Sequence, residues 1–222
     1  MESAIFNRMK SSYVGIIDIG LGNIGSVVKA LQHLGADLKL VSEPNQLSCC
    51  HALVMPGVGS FPYAMRQLSS HELLDPLRDA VLVQKTKILG ICLGFQLFGL
   101  SSTEGSLTSG LGFIPAHVTK LCSNSAGNIK VPHIGFNTAM CDVPAMRLFS
   151  NRSVRQDFYF VHSYAYSSDQ SLFLPSSSAY TLTTNGQSFI SSYEHENIFG
   201  AQFHPEKSQA NGLGFLNNFL AA

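Results

Sequence analysis

The sequence predicts an α/β fold: a three-layer, flavodoxin-like arrangement in which helices flank a mostly parallel sheet. Three observations support this. Short apolar runs alternate with helical stretches through the first half of the chain, which is how a parallel sheet appears in sequence. One apolar run leads into a helix through Gly90-x-Cys92-x-Gly94, which has the form of a nucleophile elbow. The second half is richer in β structure and in turn residues, which predicts an added β-rich region.

The elements follow in order along the chain. Predicted strands of the first half are Val14–Asp18, Leu38–Val41, Ala52–Met55 and Lys87–Ile91. Predicted helices of the first half are Asn23–Gly35, Ser60–Leu68, Leu73–Gln84 and a segment that begins at Gly94. The second half is predicted to contain strands at Gly112–Leu121, Asp157–Tyr166, Tyr180–Thr184, Ser188–Tyr193 and Ile198–Phe203, then a final helix at Gln209–Ala221. Loops at Ser123–Asn128 and Ser167–Ser178 are too short for domain linkers. We therefore expect residues 13–222 to form one domain, after a loose N-terminal extension over residues 1–12.

Composition excludes several classes of function. The 222 residues include 14 lysines and arginines and 14 aspartates and glutamates, so no net charge attracts nucleic acid or anionic lipid. No apolar run approaches the roughly 20 residues that cross a bilayer, and the first twelve residues lack the apolar core of a secretory signal. The odd number of cysteines, without a CxxC pair, argues against a disulfide framework and a zinc site: Cys49, Cys50, Cys92, Cys122 and Cys141. We expect a cytoplasmic protein that uses no metal and no cofactor.

A glycine loop near the N-terminus offers one alternative function. Gly20-x-Gly22-x-x-Gly25 follows a predicted strand and precedes a predicted helix, and Glu43 ends the next strand, as in dinucleotide-binding folds. The simpler interpretation is a tight turn between a strand and a helix. The chain is also short for separate nucleotide and catalytic domains, so a nucleotide-binding module remains the remote alternative.

Cys92 is the candidate nucleophile. In an elbow it would lie in a strained turn, and the glycines two residues away on each side leave room for that turn. The following helix would direct its N-terminal amides at the sulfur and favour the thiolate. The amide of Leu93 could donate to a developing oxyanion. The alternative is a buried cysteine that only fills space.

A thiol nucleophile requires a base and a group that orients the base. His204-Pro205-Glu206 follows a predicted strand and supplies both, because side chains two apart in an extended segment leave the same side. We expect Glu206 to hold the imidazole of His204 towards Cys92. Three further histidines are possible neighbours of the site: His133, His162 and His195. The remaining histidines are expected to be ordinary surface or core residues: His33, His51, His71 and His117.

An elbow cysteine followed about 110 residues later by His-x-Glu resembles the class I, triad-type glutamine amidotransferases. Five further segments resemble the family of glutaminase subunits of imidazole glycerol phosphate synthase: Asp18–Asn23 (DIGLGN), Pro56–Phe61 (PGVGSF), Val131–Asn137 (VPHIGFN), Phe158–Tyr164 (FYFVHSY) and Phe203–Ser208 (FHPEKS). The resemblance extends from about residue 13 to the C-terminus.

The resemblance implies roles for single residues. Cys92 would attack the side-chain amide of glutamine to form a thioester, and His204 would shuttle protons to the departing ammonia. The segment Gly57-Val58-Gly59 matches the family's oxyanion strand, in which a peptide flip would aim the Val58 amide at the oxyanion beside Leu93. Flanking glycines make such a flip plausible on stereochemical grounds. The resemblance further implies glutamine-holding groups at Gly57, Gln96, Glu104, Ser163 and Tyr164, with the loosest match at Glu104.

The resemblance also implies a heterodimer with a (β/α)8 cyclase subunit of the histidine pathway, which would receive the ammonia. Asn23, Tyr159 and Lys207 match positions expected at that interface. Their simpler interpretations are a helix cap, a strand aromatic and a solvated charge. The alternative is that the chain is a paralogous glutaminase subunit that feeds a different cyclase-like synthase, for example in amidation of a surface sugar. The resemblance further implies weak glutaminase activity until the partner binds its ligand.

Overall fold

The computed structural model describes residues 13–22, 24–121, 130–141, 146–150, 153 and 155–222. Its strands are β1 (Tyr13–Ile17), β2 (Leu38–Val41), β3 (Cys50–Gly57), β4 (Lys87–Cys92), β5 (Ser101–Ser102), β6 (Thr108–Ser109), β7 (His117–Lys120), β8 (His133–Met140), β9 (Arg155–His162), β10 (Tyr164–Tyr166), β11 (Ala179–Asn185), β12 (Gln187–His195) and β13 (Ile198–Ala201). Its helices are α1 (Ile24–His33), α2 (Phe61–Ser70), α3 (Leu74–Arg78), α4 (Leu93–Gln96) and α5 (Gln209–Ala221), and a π-helical turn (Asp79–Val83) continues α3.

Within these described ranges, nine strands form one sheet in the order β2-β1-β3-β4-β13-β12-β11-β8-β9. The first five strands in that order are parallel to one another, and each later neighbour is antiparallel. Four short strands form a second sheet in the order β10-β7-β5-β6. The predicted α/β class, with a parallel first half and a β-rich second half, is therefore the observed one.

Helices cover both faces of the large sheet. Ile16 and Ile17 are neighbours on β1, so their side chains leave opposite faces. Ile16 packs in a core with residues of α1 and α5, among them Leu31 and Phe215. Ile17 packs in a separate core with residues of α2 and α3. All of these side chains are at most 1% exposed, so the sheet lies between two apolar layers.

Strand β8 is the largest element that the sequence pattern did not predict. Its exposed side chains are apolar, with Ile134 at 61% and Phe136 at 53%, whereas His133 is buried and Asn137 is half-buried. This alternation is the reverse of the usual strand pattern, in which apolar residues face inward. Because of this reversed pattern, hydrophobic periodicity does not identify the strand.

Two further differences bear on the site. The predicted strand Asp157–Tyr166 is two strands, because the chain leaves the large sheet at Ser163 and enters the small sheet as β10. The predicted loop Ser167–Ser178 contains a 3-10 turn at Ser168–Phe173. The extension over residues 1–12 and the loop Ser123–Asn128 lie outside the described residues. None of the described helices is long and apolar enough to cross a bilayer.

Candidate active site

Cys92 occupies a strained turn at the end of β4. Its backbone has φ +53° and ψ −108°, and φ is in the range that favours glycine. A residue held in such a conformation costs about 1–3 kcal/mol and persists only where the surrounding structure enforces it. The side chain is buried, with Cys92 at 5% exposure. The predicted nucleophile elbow is thus present in the backbone geometry.

The two glycines of the elbow are required by close packing. A Cβ atom at Gly94 would lie 1.8 Å from the carbonyl oxygen of Met55 on β3. A Cβ atom at Gly90 would lie 2.6 Å from Cα of Phe95. Both distances are far below any van der Waals contact, and both involve backbone atoms that have little room to move. Glycine at these positions therefore allows α4 to cross directly over β3 and β4.

Helix α4 is much shorter than the predicted helix from Gly94. It spans Leu93–Gln96, a single turn, and bends and turns follow it. Because the macrodipole sums aligned peptide units, one turn contributes little of the field expected from a full helix. Stabilisation of a thiolate at Cys92 must therefore come mainly from side chains.

His204 lies beside the elbow because of strand register. Strands β4 and β13 are parallel neighbours with Ile91 opposite Ala201, so the chain segments that follow them leave the sheet side by side. The amide of His204 donates to the carbonyl of Tyr159 (2.8 Å), and the Ser208 hydroxyl donates to the His204 carbonyl (2.6 Å). The backbone of the histidine is thereby held on both sides.

Glu206 orients the imidazole of His204. Nδ1 of His204 lies 2.8 Å from Oε1 of Glu206, and the two side chains are only 3% and 5% exposed. The expectation of an extended segment was wrong in its local detail, since Glu206 lies in a 3-10 turn, Pro205–Lys207. The turn nevertheless brings the carboxylate to the ring, because the fixed φ of Pro205 suits the first position of the turn.

Burial alone would lower the pKa of His204, but the interactions of the ring with the neighbouring Cys92 and Glu206 outweigh it and raise the pKa to about 10. The ring is therefore an imidazolium at neutral pH. Since Nδ1 bonds Glu206, Nε2 is the ring nitrogen left for the thiol of Cys92. Nε2 has no hydrogen bond of ordinary geometry among the described residues. Catalytic contacts of this kind often tighten only when substrate binds.

A cavity of about 280 Å³ opens beside Cys92, and we call it the large cavity to distinguish it from a much smaller one beside His204. This volume is at the lower end of the range for small-molecule sites. The predicted oxyanion and glutamine-holding residues that line it are Val58, Gly59, Leu93, Gln96, Glu104, Ser163 and Tyr164. Gly57 is the exception, since it lines a separate cavity of about 20 Å³ together with His204 and Glu206, which we call the small cavity. A direct contact of Gly57 with a molecule in the large cavity is therefore not supported.

Glu104, whose sequence match was loosest, is positioned by two hydrogen bonds. Its carboxylate accepts from the amide of Phe61 at the start of α2 (2.8 Å), and its own amide donates to the buried hydroxyl of Ser102 (3.2 Å). An anion beside a helix N-terminus is electrostatically favourable. These contacts place a carboxylate at the edge of the large cavity.

Of the three histidines predicted as possible neighbours of the site, two lie at or next to the large cavity and the third does not. His162 lines the large cavity, and its Nε2 lies 3.1 Å from Nδ1 of the buried His133. Because Nδ1 of His162 donates to the carbonyl of Tyr164 (3.0 Å), Nε2 is an acceptor and His133 is its donor. Burial, and secondarily His133, lower the pKa of His162 to about 3, so both rings are neutral. His195 contacts the hydroxyl of Ser177 instead and does not line the cavity.

Gln202 is a site residue that sequence reasoning missed. It is completely buried, and its Nε2 lies 3.7 Å from Sγ of Cys92. A signal was present, because Gln202 is a polar residue at the end of an apolar strand, two positions before His204. Residues two apart in an extended segment face the same side, so a polar side chain there is directed towards the same partner as the histidine.

Two of the three predicted interface positions, Tyr159 and Lys207, lie on one patch of the surface. Nζ of Lys207 is 5.8 Å from the ring centre of Tyr159, and the ring of Tyr159 meets that of Phe136 at 5.7 Å. Phe136 is more than half exposed and was not among the predicted interface residues. Asn23, the third predicted position, lies outside the described residues.

The glycine loop of the nucleotide alternative is packed against the site. A Cβ atom at Gly22 would lie 2.0 Å from Cγ2 of Val58, so the oxyanion segment fills the space in front of the loop. The amide of Gly20 donates to the carboxylate of Asp18 (3.3 Å), which closes the turn locally. These contacts favour the simpler interpretation, a tight turn between strand and helix.

Comparisons with known proteins agree with this arrangement. The family model described as Glutamine amidotransferase class-I matches residues 15–222. "Imidazole glycerol phosphate synthase subunit HisH 1" of Parasynechococcus marenigrum is 40% identical, over 95% of this chain and 98% of its own length. "Imidazole glycerol phosphate synthase subunit HisH" of Archaeoglobus fulgidus is 41% identical, over 93% and 97%. A solved structure of a glutamine amidotransferase shares the fold with a TM-score of 0.69 at 17% identity, over 93% of this chain and 98% of that one.

Proposed function

Because this chain belongs to the class-I glutamine amidotransferase family and, within it, to the HisH subunits of imidazole glycerol phosphate synthase, we propose that Cys92, His204 and Glu206 hydrolyse glutamine to glutamate and ammonia. The observation that carries the proposal is the strained elbow of Cys92 beside an imidazolium that a buried carboxylate holds at 2.8 Å. Acyl transfer through a thioester needs three components: a thiolate nucleophile, an imidazole that donates and accepts the proton, and a carboxylate that orients the imidazole.

The reaction follows from the charges of these groups. The thiolate of Cys92 attacks the side-chain carbonyl carbon of glutamine, and a C–S bond forms while the carbonyl oxygen takes up the negative charge. The C–N bond then breaks, and Nε2–H of His204 supplies the proton with which ammonia leaves. Water attacks the thioester, neutral His204 accepts its proton, and the C–S bond breaks to release glutamate. One water is consumed, and the imidazolium is restored.

The large cavity supplies the groups that would hold glutamine. Val58 and Leu93 line this cavity together with Cys92, and their amides would bind the oxyanion after the proposed rearrangement of the Gly57–Gly59 segment. The carboxylate of Glu104 suits the α-ammonium group of the substrate. Ser163 and Tyr164 form the corner between the two sheets, and their backbone groups would bind the α-carboxylate end.

Ammonia would pass to a partner synthase subunit of (β/α)8 architecture that forms imidazole glycerol phosphate in histidine biosynthesis. The relatives are named as HisH subunits of imidazole glycerol phosphate synthase, which favours a partner from that synthase over a sugar-modifying one. The small cavity is lined by His204, Glu206 and Lys207, so it is a candidate route from the triad to the surface patch of Phe136, Tyr159 and Lys207. The reaction needs no cofactor and suits the cytoplasm.

Glutamate release from glutamine, measured with and without the cyclase subunit and its nucleotide ligand, tests the proposal. We expect low release from the isolated chain and a large ligand-dependent rise in the complex. The rise should disappear in Cys92→Ala and persist in Cys141→Ala, because Cys141 is also buried but contacts Sδ of Met146 and does not line the large cavity. A flat response with Cys92 still labelled by diazo-oxo-norleucine would contradict the assignment of the partner. Absence of labelling would contradict the glutaminase.

A further inference from the structure

The side chain of Gln202 is the only amide group among the described residues with a hydrogen bond to the candidate nucleophile. Gln202 is 0% exposed, and its backbone is fixed by donation to the carbonyl of Ser191 (2.8 Å). Its Nε2 lies 3.7 Å from Sγ of Cys92, a normal distance for an N–H···S bond. A completely buried amide is expensive unless both of its ends are bonded, so its orientation carries information.

The orientation of this amide follows from a single backbone carbonyl. Gln96 places Nε2 at 2.7 Å from the carbonyl oxygen of Tyr164, and a carbonyl oxygen can only accept. The same Nε2 lies 3.1 Å from the end of the Gln202 side chain, which must therefore be the acceptor Oε1. The other end of Gln202, which faces Cys92, is consequently the donor Nε2.

Two contacts on the sulfur act in opposite directions. The carbonyl of Val161, 3.8 Å from Sγ, accepts from the neutral thiol and repels a thiolate. The N–H of Gln202 stabilises the thiolate, because hydrogen bonds to charged groups are stronger than those between neutral groups. Since α4 is only one turn long, its dipole adds little, and the donor side chains decide the balance.

We propose that Gln202 is a further catalytic residue, which donates to the thiolate of Cys92 before attack and when the thioester breaks down, and that Gln96 is its positioning residue. Gln96 then has two roles, since it also lines the large cavity. The proposal rests on the proposed function of Cys92 as the nucleophile. It differs from the triad in that His204 exchanges protons, whereas Gln202 only stabilises negative charge.

The rate of alkylation of Cys92 by iodoacetamide tests the role of Gln202 without any catalytic turnover. The isolated chain is alkylated in short pulses between pH 6 and 9.5, and the peptide that contains Cys92 is quantified by mass spectrometry. The peptide of Cys49 in the same sample is the internal reference. The variants are Gln202→Met, which removes the donor at similar volume, and Gln202→Glu, which places a carboxylate at the sulfur. Gln156→Met is the matched control, because Gln156 is also a buried glutamine and its side-chain amide donates to the carbonyl of Ser153 rather than to Cys92.

We expect Gln202→Met to lower the alkylation rate of Cys92 at pH 7 by about tenfold, the effect of one charge-assisted hydrogen bond. Gln202→Glu should lower it further, and Gln156→Met should leave it unchanged. Thermal unfolding checks that each variant is folded. If the Gln202 variants do not fold, Gln96→Met provides the test, because it removes the group that orients the Gln202 amide. We expect Gln96→Met to lower the alkylation rate of Cys92 by about threefold.

Equal alkylation of Cys92 in wild type and in a folded Gln202→Met or Gln96→Met variant would overturn the proposal. Failure of the proposed function has a different signature. In that case the wild-type chain releases no glutamate with its partner, while alkylation of Cys92 still depends on Gln202.

Discussion

Replacing Glu206 by glutamine removes one negative charge from the ring of His204 and leaves an oxygen within reach of Nδ1. The wild-type contact is 2.8 Å between side chains that are nearly inaccessible to solvent. Two unit charges about 4 Å apart interact by about 4 kcal/mol at an effective dielectric constant of 20. The amide dipole retains roughly half of this, so about 2 kcal/mol is lost, which corresponds to about 1.5 pH units. We expect the pKa of His204, about 10 in the wild type, to fall by that amount.

The assay is the imidazole ¹⁵N shift of His204 between pH 6 and 10.5, assigned by its loss in His204→Gln. At pH 9 the wild-type ring should remain charged and the Glu206→Gln ring should be mostly neutral. Glu196→Gln is the control, because Glu196 pairs with Lys85 at the surface. An unchanged titration midpoint in Glu206→Gln would refute the role of Glu206 in stabilising the imidazolium.

The same shift predicts how stability depends on pH. Because the pKa of His204 is higher in the folded chain than its ordinary value of 6.5, its protonation stabilises the fold in full below about pH 6.5. This contribution is lost as the pH rises through about 10. In Glu206→Gln the loss should occur at lower pH, and urea unfolding at pH 7 and pH 9 measures it.

Three further predictions concern the frame of the site. Gly94→Ala should lower the free energy of unfolding by about 3 kcal/mol, because its Cβ would clash with the Met55 carbonyl; a loss below about 1 kcal/mol would show that β3 moves aside. Lys87 donates to three carbonyls at the end of α5, so Lys87→Met should cost about 1–2 kcal/mol in urea unfolding. Lys85→Met removes only an exposed ion pair and should cost less than about 1 kcal/mol; equal losses would contradict the capping role of Lys87. Burial, and secondarily His133, lower the pKa of His162 to about 3. The ring should therefore keep its Nδ1–H tautomer from pH 8 to pH 5, and a change of its ¹⁵N shift in that range would contradict this.

Local features of the site were predictable because their causes are local. The elbow at Cys92 requires small residues on both sides, and Gly90 and Gly94 appear in the sequence as that requirement. The pair His204 and Glu206 was predictable because two residues that are close in the chain supply both base and carboxylate. Continuous apolar runs located the central parallel strands β1, β3, β4 and β13, since these strands are buried on both faces.

Other features depended on contacts that no local pattern contains. Strand β8 reverses the usual alternation, with Ile134 and Phe136 outward and His133 inward, so its sequence does not resemble a half-buried strand. The brevity of α4 was also not visible, because the residues after Gln96 are as apolar as a helix would require. Gly57 was assigned to the glutamine site by resemblance, yet the register that pairs it with Cys92 turns it towards the small cavity.

The sequence by itself therefore determined the α/β class, the elbow and the chemical identity of its three candidate catalytic groups. Only the tertiary structure decided that Cys92 and His204 meet, since this depends on the parallel pairing of β4 with β13. It also decided the direction of the Gln202 amide, which a carbonyl on Tyr164 sets through Gln96. The physical reason is that a residue type specifies which hydrogen bonds are possible, whereas the direction of each bond depends on partners that are distant in the chain.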